Sequence, residues 1–227
     1  MQAVSGYQPR YRRPTLGALR RTTQGAVRIC LRLEIHPDAI SYLSIVAAAA
    51  AALCFWRAKA YPVLLIAGPL FCYLRGWLNI LDGMVAVAAG KASRRGEFVQ
   101  DLADRISDVL IFLGVAYSGL NSMLGGYLAA IFALLTAYVG VLGQAVGVQR
   151  EFSGLMSKPW RMVVLNVGAW LTHGLLRWGV AEVRYAGWTV LDWALLVIML
   201  GCVQTIGVRL VRILRALRVK ATGPTED

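Results

Sequence analysis

Six apolar stretches recur along the chain, and nothing else in the sequence restricts its fold as much. A helix needs about 20 residues to cross the hydrocarbon core of a bilayer. The first stretch runs from Ala39 to Trp56 and contains the run Ala47–Ala52. The second runs from Tyr61 to Ala89, the third from Gly96 to Gly119, and the fourth from Met123 to Val148. The fifth, Met162 to Leu176, is shorter, and the sixth spans Trp188 to Val208. Hydrophobic residues make up 58% of the chain and charged residues only 16%. A soluble domain is about half apolar and about a quarter charged. The expected fold is therefore all-α. It is a polytopic membrane protein with six transmembrane helices, preceded by an amphipathic interfacial helix.

The charges lie at the margins of these stretches. Arg10, Arg12, Arg13, Arg20, Arg21, Arg28 and Arg32 precede the first, among residues broken by Pro9 and Pro14. Between residues 16 and 33 the positions Leu16, Leu19, Ala26, Ile29, Cys30 and Leu33 alternate with arginines, as in a helix lying on an anionic membrane face. A disordered basic tail is the competing reading. His36-Pro37-Asp38 then breaks the chain, and Asp38 is expected to cap the next helix. Arg209, Arg212, Arg215, Arg218 and Lys220 follow the last stretch. Three segments result: a basic interfacial part, residues 1–38; a six-helix transmembrane domain, residues 39–208; and a basic C-terminal tail, residues 209–227.

Six crossings put both termini on one side. Lys91, Arg94 and Arg95, and then Arg150, Lys158 and Arg161, lie in loops of that side, while Arg57, Lys59, Arg177 and Arg184 lie opposite. The bias of loop charge makes the shared side cytoplasmic, in the inner (cytoplasmic) membrane. The net charge of +12 is thus read as contact with membrane lipid, and no nucleic-acid partner is expected because no nucleic-acid motif accompanies it. Cys30, Cys54, Cys72 and Cys202 form no CxxC pair and read as buried hydrophobes. No early apolar stretch with a small-residue cleavage site is seen, so no removable leader is expected.

The third stretch carries the chemistry. Its apolar part, Val109 to Gly119, gives only about 16 Å of helix. To cross, the helix must continue through Asp101, Asp104, Arg105 and Asp108. Ionisable groups at such depth cost roughly 2.5–3.5 kcal/mol each. At about 100° per residue, Asp101, Asp104 and Asp108 share one side, with Gln100 at its edge. On the preceding helix Arg75, Asn79, Asp82 and Ala86 share one side in the same way. The two helices are joined by Gly90–Arg95 and should be antiparallel neighbours whose polar sides meet. Clustered carboxylate and amide oxygens suit a hard divalent cation, and nearby bases suit phosphate. An ion-pair network neutralised by Arg75 and Arg105 explains the same residues without chemistry.

The spacing resembles the CDP-alcohol phosphotransferase signature, D-x2-D-G-x2-A-R-x8-G-x3-D-x3-D. Here the positions read Asn79, Asp82, Gly83, Ala86, Val87, Gly96, Gln100 and Asp104, with every spacing kept. Asp82, Gly83, Ala86, Gly96 and Asp104 match in identity; Asn79, Val87 and Gln100 depart from Asp, Arg and Asp. The resemblance implies transfer of a phosphatidyl or related phosphoalcohol group to an acceptor alcohol, with release of CMP. The donor it implies is CDP-linked, such as CDP-diacylglycerol. It also implies a divalent cofactor, Mg²⁺ or Mn²⁺, and a homodimer. Asp82 is carried over as a metal ligand, and Asp104 as metal ligand or catalytic base. Gly83, Ala86 and Gly96 are carried over as close approaches for the nucleotide, beside Asn79 and Gln100. Lys158 and Arg161 resemble the family's acceptor-phosphate site.

Asp101 and Asp108 lie on the same helical side and are candidate replacement ligands for the missing acids. Arg94, Arg95 and Arg75 are candidate phosphate contacts in place of Val87. A catalytically inactive relative that binds lipid or a partner is the alternative function. His36, His173, Gln144 and Asp192 read as structural. The acceptor is open: glycerol phosphate, inositol phosphate, serine or a second lipid.

Overall fold

The computed structural model describes residues 17–179 and 185–222, with side chains between Thr23 and Lys220. The expectations placed on Pro9, Arg10, Arg12, Arg13, Pro14, Leu16 and Arg184, and on the side chains of Leu19, Arg20 and Arg21, lie outside the described residues. Seven helices follow one another: α1 (Gly17–Arg32), α2 (Pro37–Arg57), α3 (Leu64–Ala88), α4 (Arg94–Ala116), α5 (Met123–Ala145), α6 (Lys158–Arg177) and α7 (Val190–Thr222). The chain is an all-α membrane protein. Four helices, α2, α3, α5 and α7, are long and apolar enough to cross a bilayer. The helices α4 and α6 match the expected third and fifth stretches in position, but their charged and amide side chains keep them below that standard.

Local sequence explains the ends. Pro37 occupies the first turn of α2, where its missing N–H costs nothing. The cap is His36, whose ring accepts from Asp38 N at 3.3 Å, so the expected cap Asp38 sits inside the first turn instead. Ser93 caps α4 through Gly96 N at 3.1 Å. Gly90, with φ +64°, closes α3 in the left-handed conformation that favours glycine. The expected C-terminal tail does not begin at Arg209. The helix α7 runs on to Thr222, because its arginines recur every three residues and continue the helical face.

Packing follows small residues. The helix α2 lies against both α3 and α4, and α5 lies between α4 and α7. A Cβ at Gly114 would stand 2.4 Å from the Ala52 carbonyl oxygen, so α2 and α4 touch main chain to main chain. Gly126 of α5 meets Ala116 in the same manner. Around these contacts lies a core that includes Phe55, Leu65, Phe112, Val115, Leu165, Leu195 and Ile198. The amphipathic α1 is docked, with Val27 and Cys30 packed on Ile40, Leu78, Leu81 and Val85. Ile29, Leu43, Leu70, Leu124 and Leu200 face outward, as a lipid solvent requires.

Candidate active site

The end of α3 and the first half of α4 carry the polar sides expected from the sequence, and the structure joins them. Asn79 Nδ2 donates to Asp104 Oδ1 at 2.6 Å. Gln100 Nε2 donates to Asp82 Oδ1 at 2.6 Å and to the Asn79 carbonyl at 2.9 Å. Asp82 Oδ1 also accepts from Gly83 N at 2.6 Å, and its Oδ2 accepts from Ser41 Oγ of α2 at 2.7 Å. The four acid positions of the signature are thus joined by hydrogen bonds into an open ring, running Asp104–Asn79–Gln100–Asp82. Gly83 lines it: a Cβ there would meet Gln100 Nε2 at 3.6 Å.

Beneath the ring lies a buried charge network. Arg75 Nη2 donates to Asp108 Oδ1 and to the Asp104 carbonyl, each at 3.0 Å, and lies 3.4 Å from Asp104 Oδ1. Arg161 Nη2 donates to Asp108 Oδ2 at 3.0 Å. Lys158 Nζ pairs with Asp104 Oδ1. Asp104 is fully buried, and Arg75, Arg161 and Asp108 are no more than 3% exposed. Arg75 is therefore the counter-ion of Asp104 and Asp108, and Arg105 stands off at 3.9 Å from Asp104. Nε of Arg75 and of Arg161, and Oγ of Ser107 beside Asp108, have no hydrogen-bond partner.

The expected metal set of Asp82, Asp101, Asp104 and Asp108 does not assemble. Among the described residues no group of three or more carboxylate, His or Cys side chains stands close enough to hold an ion. The acids share a helical side but not a level. Asp101 is drawn away by Arg150, at 2.5 and 2.8 Å, and Asp108 lies a turn deeper between Arg75 and Arg161. Lys158 and Arg161, expected at an acceptor phosphate, are engaged with Asp104 and Asp108. Arg94 and Arg95 are exposed in the first turn of α4, Ala86 is half-buried, and Gly96 is held by its bond to Ser93.

Sequence reasoning missed four supporting residues. Ser41 reaches Asp82 across 41 positions, and Arg150 ties the α5–α6 loop to α4. Arg209, expected in a solvated tail, is buried and donates to the carbonyls of Ser153 and Thr136. With Thr205, which accepts from Met156 N at 2.9 Å, it pins the loop that presents Lys158. Asp192 bridges the starts of α5 and α7 through Ser122 N at 2.6 Å, as its structural reading expects.

No family model matches the chain. A curated relative, phosphatidylinositol phosphate synthase of Cutibacterium acnes, is 30% identical over 195 residues, 82% of this chain and 89% of that protein. The chain belongs to the CDP-alcohol phosphotransferase family. The structure of Mycobacterium tuberculosis phosphatidylinositol phosphate synthase with CDP-DAG bound matches at TM-score 0.68, with 24% identity. It covers 85% of this chain and 94% of that one. The same enzyme in complex with manganese and citrate matches at TM-score 0.66 and 23% identity, covering 84% and 88%. The shared property at these identities is the fold. As a CDP-alcohol phosphotransferase, the chain keeps two signature acids, Asp82 and Asp104, and carries amides at two others. The ring shows these amides filling the gaps between the remaining carboxylates.

Proposed function

We propose that the chain transfers a phosphatidyl group from a CDP-linked lipid such as CDP-diacylglycerol to an acceptor alcohol, releasing CMP. The observation that carries this reading is the convergence of Asn79, Asp82, Gln100 and Asp104, from two helices, into one ring at the signature spacing. Relatives named phosphatidylinositol phosphate synthase support the same reaction class.

The ring's donor set fits one divalent cation. Two carboxylates balance its charge, and Mg²⁺ ordinarily takes one or two carboxylates together with substrate phosphate. Asp82 and Asp104 would hold Mg²⁺ or Mn²⁺, and the amides of Asn79 and Gln100, which now donate to these carboxylates, would offer further oxygen donors. When bound, such an ion withdraws charge from the departing CMP phosphate. The chain's own residues do the rest. Ser41 and the Gly83 N–H orient the Asp82 carboxylate. Arg75 and Lys158 orient Asp104, which receives the proton of the attacking hydroxyl. Asp108 fixes Arg161 and Arg75 behind it. Arg94 and Arg95, exposed at the start of α4, meet phosphate groups of the donor or of neighbouring lipid.

In this reading α4 and α6 cross the membrane with α2, α3, α5 and α7. At 23 and 20 residues they reach roughly 30–35 Å, and the bundle shields their charges. The ring then opens to the cytoplasm, where the basic loops lie, and the chain acts as a homodimer. The test is CMP release from CDP-diacylglycerol with Mg²⁺ or Mn²⁺, across a panel of acceptor alcohols. Release with at least one acceptor, lost in Asp82→Asn and Asp104→Asn, is expected. No release with any acceptor, or full activity in Asp104→Asn, overturns the proposal.

A further inference from the structure

The transferase reading needs a cation, and the charges around the ring bear on when that cation binds. Where the signature has four acids, this chain has two acids and two amides. Each amide nitrogen donates to one of the remaining carboxylates, at 2.6 Å in both cases. Asp104 Oδ1 also holds Lys158 and faces Arg75. Asp82, Asp104 and Asp108 stand against Arg75, Lys158 and Arg161, with Arg105 3.9 Å from Asp104: three acids against four bases, all intermediate or buried. The cluster holds no surplus negative charge.

A divalent ion binding alone would bring two unbalanced positive charges into this buried cluster. It would also have to displace donors from Asp82 and Asp104. Both steps are costly where solvent is excluded. A CDP-linked lipid carries a diphosphate with two negative charges. Binding together, cation and diphosphate add no net charge to the cluster. The diphosphate also gives Lys158 a second anionic partner when the cation takes its place on Asp104.

We infer that this chain binds its divalent cation only together with the CDP-linked diphosphate, so that metal and donor lipid are positively coupled ligands. The inference rests on the transferase reading. Coupling is reciprocal: each ligand tightens the other by the same factor. The amides at Asn79 and Gln100 are its cause. An Asn79→Asp/Gln100→Asp variant regains two negative charges and holds the cation alone.

The test is Mn²⁺ binding to the full chain in detergent micelles, read by the loss of the free-ion electron paramagnetic resonance signal. It is run with and without CDP-diacylglycerol, with protein-free lipid micelles as the blank. Donor binding is followed separately with a fluorescent CDP-diacylglycerol. We expect at least about tenfold tighter Mn²⁺ binding with the donor present. The double variant is expected to bind Mn²⁺ tightly in both conditions. Equal Mn²⁺ affinity with and without donor overturns the inference and leaves the transferase reading standing. Loss of the difference between parent and double variant overturns the charge argument. Failure of the parent to bind the donor under any condition removes the transferase reading, and the inference with it.

Discussion

Asp108 stands between two buried guanidinium groups, with one carboxylate oxygen for each, both at 3.0 Å. The Asp108→Asn change keeps the side chain's size. It removes the charge and turns one acceptor into a donor facing a donor. Arg75 and Arg161 would then share one counter-charge fewer in a site where all three groups are at most 3% exposed. Removing one partner of a buried pair costs about 3–5 kcal/mol. In a chain of this length each kcal/mol moves the melting temperature by roughly 2–4 °C. The expected loss is therefore about 6–20 °C. Arg75→Met deletes one guanidinium but leaves Asp108 paired with Arg161 and Asp104 with Lys158, so it should cost less. Thermal unfolding of both variants in the same detergent reads the order directly. A melting temperature for Asp108→Asn within about 2 °C of the parent, or a loss smaller than that of Arg75→Met, would refute the reasoning.

Two further outcomes are expected. Gly114→Ala places a Cβ 2.4 Å from the Ala52 carbonyl, so α2 must move away from α4 by about 1 Å; overpacking of this kind costs about 1–3 kcal/mol. Gly76→Ala, which meets nothing within 4 Å, is the control, and equal melting temperatures for the two variants would disprove the contact argument. At Glu151, partial burial opposes the charge. The Ser153 N–H at 3.0 Å and Arg212 at 3.7 Å outweigh it and hold the carboxyl below its ordinary value. A group depressed in the folded state stabilises above its unfolded pKa, and that contribution disappears as pH falls through the folded value. Amide exchange in residues 150–156 should therefore rise in the parent on acidification below about pH 4, relative to Glu151→Gln; parallel profiles would contradict this.

Most of the helix layout was readable from the sequence because apolar length is a direct requirement of the bilayer. The four strongest stretches reappear as α2, α3, α5 and α7. The ring was readable for a different reason. Asn79 and Asp82 lie three positions apart, and Gln100 and Asp104 four, so each pair falls on one helical side. What stayed hidden was the identity of each partner. Arg75 was foreseen as a counter-ion, but which acid it would take depends on depth along α4, and depth is not encoded in angular position. Arg150 reaching Asp101 and Ser41 reaching Asp82 are contacts between distant segments, and single polar residues near span ends carry no pattern that pairs them. Arg209 looked like surface charge because its neighbours Arg212 and Arg215 are surface charge. Only the space left by Gly140, where a Cβ would sit 2.9 Å from the guanidinium, admits it to the interior.

The touching main chains of α2 and α4 leave no side-chain layer between them to yield. At Ala52 and Gly114 the two helices therefore cannot come closer without shifting main chain. On the opposite side, α6 and the segment before it hang from α7 by the hydrogen bonds of Thr205 and Arg209, so movement within the bundle falls to that side.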